Sequence, residues 1–101
     1  MNHQEQENAE SRSESEAIAA LEVEIQEFAA QKQACAARVK ELMFSEDTAA
    51  GIVHAKEIFM LQQDKLRLQV EMDCRRNKIN RIRKFGLANE LQNSPPQPDH
   101  P

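Results

Sequence analysis

Apolar residues recur every seven positions through the first half of this chain, and the sequence offers them no globular core to join. Ile18, Ile25 and Val39 share one row, with Lys32 in its one remaining place, and Leu21, Phe28, Cys35 and Leu42 share the matching row. Four heptads with one polar interruption form a coiled-coil signal, because a 3.5-residue repeat keeps a single seam of each helix against a partner. A second seam follows, with Ile58, Lys65, Met72 and Ile79 in one row and Leu61, Leu68, Arg75 and Ile82 in the other.

The two seams do not share a frame. Val39 to Ile58 is 19 residues, two heptads with five left over. Continuous coiled coils absorb insertions of three or four residues, and five fits neither case. The segment 44–51 supplies Ser45, Asp47, Thr48 and Gly51, residues of caps and turns. The expected fold class is therefore all-α, an antiparallel two-helix hairpin with its turn near 44–51, rather than one kinked rod. Ser13 followed by Glu16 fits a capping box, so helix 1 is expected at about 13–43. Helix 2 is expected at about 49–85, with Gly86 as its C-terminal cap and Leu87 making the accompanying apolar contact. Residues 13–87 form the hairpin, residues 1–12 an acidic disordered tail, and residues 88–101, with all four prolines, a second disordered tail.

A lone hairpin of this composition has little to bury. The chain has 101 residues, four Phe, no Tyr and no Trp, and many of its apolar residues are alanines. Self-association or a helical partner is the expected remedy. The surface expected to serve it comprises Ile18, Leu21, Ile25, Phe28, Val39 and Leu42 on helix 1. On helix 2 it comprises Ile58, Leu61, Leu68, Met72, Ile79 and Ile82. Phe59, Leu66 and Val70 widen the apolar face of helix 2 beyond the strict seam, a width that suits a bundle of two hairpins. Among the polar seam residues, Lys32 is the candidate register determinant, and Arg75 is expected to snorkel toward the acidic stretch.

The net charge of −4 conceals opposite ends. Residues 1–31 hold eight acids and one base, whereas 75–93 hold Arg75, Arg76, Lys78, Arg81, Arg83 and Lys84 against Glu90. Folding at the turn sets the acidic start of helix 1 beside the basic end of helix 2, which favours the antiparallel arrangement. The alternative reading of these six basic residues is a surface for nucleic acid or another acidic partner. Against it stand the acidic total and the lack of aromatic residues for base stacking among the basic ones. The basic run also follows the heptads, whereas in bZIP proteins it precedes them.

Other chemistry is absent from the pattern. Cys35 and Cys74 form no CxxC, and the hairpin register sets them too far apart to bridge. His54 and Glu57 share a helix face, but the further carboxylates of a metal-binding bundle are missing. No catalytic, cofactor-binding or metal-binding residues are expected. No apolar run approaches membrane-spanning length, and the acidic start is unlike a secretory signal, so a soluble intracellular protein is expected. The functional expectation is a non-enzymatic interaction module, an adaptor or assembly subunit working through a homo-oligomeric or heteromeric helical complex. The alternative is a small nucleic-acid-binding regulator using 75–84.

Overall fold

The computed structural model describes residues 3–92. Helix α1 spans His3–Ser45, helix α2 spans Ala55–Phe85, and a short helix α3 spans Leu87–Gln92. The first two pack against each other along their length, giving an all-α hairpin. Its long dimension is 77 Å. The 43 residues of α1 account for about 65 Å of that at 1.5 Å per residue.

α1 begins ten residues earlier than the expected start at Ser13. Neither Gly nor Pro precedes Gly51, and residues 3–12 are dominated by Gln, Glu and Ala, which pay little to enter a helix. The seam rows, not the capping pair Ser13 and Glu16, decide where packing starts. The expected disorder at residues 1–2 and 93–101 lies outside the described residues.

The turn is longer than expected, and α2 starts at Ala55 rather than near residue 49. Asp47 is the cause. Its carboxylate accepts from the Ala50 N–H at 3.2 Å, capping a 3-10 turn over Thr48–Ala50. Its backbone pairs with Ile52 in both directions at 2.8 Å, an isolated antiparallel bridge. Gly51, at φ 78°, adopts the left-handed conformation that closes this loop and that a side chain would resist. The Glu46 carboxylate then accepts from the His54 N–H at 3.0 Å, and helical bonding resumes as the Ile58 N–H donates to the His54 carbonyl.

At the far end α2 stops at Gly86, whose φ of 91° and ψ of 158° is a glycine conformation. The chain turns sharply into α3, and the Leu87 N–H donates to Glu14 Oε1 at 3.2 Å. Leu87 packs on the core cluster, as expected of the residue after the cap. Residues 88–92, expected to be disordered, instead form most of α3, held to α2 by a bidentate contact between Arg81 and Glu90 at 2.6–3.2 Å.

Among the described residues eight hydrophobic side chains are buried: Leu21, Ile25, Val39 and Leu42 from α1, and Leu68, Met72, Ile79 and Ile82 from α2. Leu68, at 1% exposure, is packed on all sides, whereas Leu66, two residues away on the opposite side of the helix, is 62% exposed. Leu68→Ala is expected to destabilise the hairpin by about 2–5 kcal/mol. Leu66→Ala is expected to change monomer stability by less than about 0.5 kcal/mol. Parallel urea titrations of the two variants measure the difference. Spin labels at Glu16 and Arg81 are expected on the order of 10–20 Å apart, as for neighbouring helices.

Candidate interaction surface

The seam expected to mediate association is largely consumed within the chain. Leu21, Ile25, Met72, Ile79 and Ile82 form one buried cluster, with Ile18 and Phe28 packed half-buried against it. Val39, Leu42 and Leu68 are buried toward the turn, and Ile58 and Leu61 are half-buried there. The heptad rows thus identify the contact between α1 and α2.

Between these apolar stretches Lys32 donates to Gln69 Oε1 across the hairpin. A lysine facing a side-chain amide is satisfied only when the two helices slide to this register, which is the role a polar seam residue commonly plays. Arg75 lies 4.9 Å above the Phe28 ring, with its Nε donating to Glu24 at 3.0 Å and Nη1 donating to Glu71. The Glu24 contact, followed by that to Glu71, raises the Arg75 pKa despite partial burial. Its stem therefore covers the seam while its head reaches the acidic helix, as snorkelling requires.

The other basic residues are also drawn into acid contacts. Arg76 reaches Asp73 at 3.4 Å, Arg81 reaches Glu90, and Arg83 lies 3.8 Å from Glu22. Lys84 stands over the Phe85 ring, and Lys78 acts electrostatically on Glu90. Arg83 and Arg76 border an open groove between α1 and α2, about 390 Å³ in volume, with Ile25 and Ile79 in its lining. Carboxylates thus sit beside four of the six cations, Arg75, Arg76, Arg81 and Arg83. His54 and Glu57 do not converge either: His54 Nε2 lies 3.0 Å from Ser45 Oγ, and Glu57 pairs with Arg38 at 3.4 Å.

Phe59 and Leu66 do not broaden the seam. They are 63% and 62% exposed, and Val70 is 60% exposed. Two residues along a helix turn about 200°, and Leu66 and Val70 each lie two residues from buried Leu68. Phe59, Leu66 and Val70 are spaced by seven and then four residues, so they form a single stripe on the side of α2 facing away from α1. α1 has a counterpart in Val23, Ala30, Ala34 and Ala37, all exposed and each two residues from a seam position. The two-residue offset is the signal that separates a second stripe from a wide first one. At the turn, Met43, Phe44, Ile52, Val53 and Met60 are also exposed, with Phe44 the most open at 88%. The heptad rows carry no sign of that cluster, because most of it lies in or beside the turn.

No helix among the described residues is long and apolar enough to cross a membrane. No protein-family model, curated protein or solved structure matches this chain.

The contact between Arg81 and Glu90 has a pH signature. Hydrogen bonding from Arg81 is the main cause that lowers the Glu90 pKa from the usual carboxylate value. A depressed folded value means that Glu90 stabilises α3 docking fully above the unfolded pKa, about 4.3. That stabilisation is lost as pH falls through the lower folded value. NMR titration is expected to show Glu90 protonating below the usual carboxylate range, with α3 loosening in the same step. Arg81→Gln is expected to return Glu90 to the ordinary range.

Proposed function

We propose that this chain is a non-enzymatic helical interaction module, an adaptor or assembly subunit whose working part is the outer surface of its hairpin. The observation that carries this reading is the exposed stripe Phe59, Leu66 and Val70 on the back of α2. Soluble monomers seldom leave contiguous apolar patches of more than a few hundred Å² open to water, and larger ones mark contact sites. α1 cannot cover this stripe, since it occupies the opposite side of α2. A helical protein surface suits the stripe, because its spacing of seven and four residues is that of anchors that dock a helix.

Leu66→Glu places a charge at the centre of the stripe without touching the buried seam. The variant is expected to keep wild-type helix content and the short distance between labels at residues 16 and 81, while association weakens at least tenfold. Sedimentation across protein concentration measures this. An unchanged association constant would refute the reading.

The alternative, nucleic-acid binding through 75–84, is disfavoured by the carboxylates beside Arg75, Arg76, Arg81 and Arg83. Neutralising six phosphates would give log K a slope near −4 to −5 against log salt. No such steep dependence is expected for oligonucleotides titrated with this chain.

A further inference from the structure

We propose that the outer stripe of α2 docks onto the outer stripe of α1 in a second copy of this chain, with the two helices antiparallel. This inference rests on the interaction-module reading and names the partner. Shape supplies the first argument. The α2 stripe presents large side chains, Phe59, Leu66 and Val70, whereas the α1 stripe presents Val23 followed by Ala30, Ala34 and Ala37. Large groups seat over small ones when facing helices interdigitate, and a small-residue face lets the backbones approach closely.

Charge supplies the second argument, and it fixes direction and register. Lys56, Arg67 and Lys78 follow one another at eleven-residue spacing, close to three full turns, so they form a row along one edge of the α2 stripe. Glu16 and Glu27 have the same spacing; seven residues before and four after Val23, they lie in the α1 stripe on its leading side, and Arg38 continues their row. When two antiparallel helices face each other, edges of the same rotational sense meet. The hairpin itself obeys this rule at Arg75 with Glu24 and at Arg83 with Glu22. The basic row of α2 and the acidic row of α1 both lie on the side that increasing residue rotation reaches next, so they meet.

One register joins the stripes and matches two of the three basic residues. Setting Phe59 over Ala34 and Val70 over Val23 brings Arg67 to Glu27 and Lys78 to Glu16, and it sets Lys56 near Arg38, whose charge Glu41 and Glu57 already offset within the hairpin. These groups are available for the purpose. Glu16, Glu27 and Lys56 make no ion pair among the described residues, Arg67 reaches only Asp64, at 4.0 Å, and Lys78 acts on Glu90 without a direct ion pair. A symmetric pairing of two α2 stripes lacks this complementarity, because there the row of Lys56, Arg67 and Lys78 would meet its own copy. The proposed contact is heterologous, so each chain retains one free face of each kind and association continues beyond a dimer unless the rotation closes a ring.

Charge reversal tests the pairing. Glu16→Lys with Glu27→Lys in one chain, or Arg67→Glu with Lys78→Glu in another, is expected to weaken self-association at least tenfold. Mixing the two variants is expected to restore it, because each then offers the other a matching edge. Sedimentation velocity from about 1 to 200 µM, a range that spans ordinary affinities, reads association. Circular dichroism confirms that both variants keep the hairpin. A wild-type chain that stays a folded monomer throughout would overturn the proposal. So would variants that associate like wild type, or a mixture that fails to recover. Should Leu66→Glu abolish association while both charge variants leave it intact, the α2 stripe is an interaction surface but its occupant is not α1 of a second copy. That result overturns this inference and leaves the interaction-module reading standing. Indifference to Leu66→Glu removes both.

Discussion

Every other feature of this molecule depends on one strip of contact, where Leu21, Ile25, Val39 and Leu42 meet Leu68, Met72, Ile79 and Ile82. Two helices share a single line of apolar contact, so each has one covered side and three open ones. Conformational entropy costs roughly 1–2 kcal/mol per ordered residue, and a single seam offsets it poorly. The fold is therefore sensitive to each seam residue, and the polar devices around the seam carry unusual weight. α3 belongs to this economy. It brings Leu87 onto the open end of the cluster, tied by Arg81 to Glu90 and by Glu14 to the Leu87 backbone.

Electrostatics decides how the strip is used. Exposed ion pairs contribute little individually, but those linking α1 and α2 all favour the same arrangement. Arg75 with Glu24 and Arg83 with Glu22 lie near the open end, and Arg38 with Glu57 near the turn. Each is made only when the helices run antiparallel at this register. Lys32 facing Gln69 adds a polar lock midway. Apolar contact supplies most of the stabilisation, and the charges exclude neighbouring registers that would bury nearly as much surface. Three of the six basic residues of α2, Arg75, Arg81 and Arg83, are thus engaged between helices of the fold.

The hairpin was legible in the heptads because a seam of period 3.5 is a direct imprint of packing. The five-residue frame remainder placed the turn correctly for a physical reason: no continuous helix keeps both seams on one side across it. Helix ends were less legible. Residues 3–12 contain no breaker, and their helicity follows from composition rather than from the capping pair Ser13 and Glu16. The start of α2 depends on Asp47 bonding both Ala50 and Ile52, a local loop contest that periodicity does not register. Phe59 and Leu66 are legible as apolar, but a count of apolar width does not measure the angle that separates them from the seam. The two-residue offset from Leu68 would have placed them.

That angle also determines which assemblies the surface suits. In a square four-helix bundle each helix meets two neighbours about 90° apart, so its apolar positions merge into one broad face. On α2 the seam and the outer stripe are separated by about 200°, the rotation from Leu68 to Leu66 or Val70. The intermediate faces are mostly polar, carrying Gln62, Gln69, Arg76 and Asn80 on one side and Arg67 and Lys78, with exposed Met60 and Phe85, on the other. Pairing two hairpins side by side would bury those polar groups and leave Phe59, Leu66 and Val70 open, losing on both counts. A helix placed on the far side of α2 covers the stripe and leaves the polar edges in water. The geometry therefore favours helices in a layer over helices in a square, with α2 as an inner member and α1 as its model for the next neighbour.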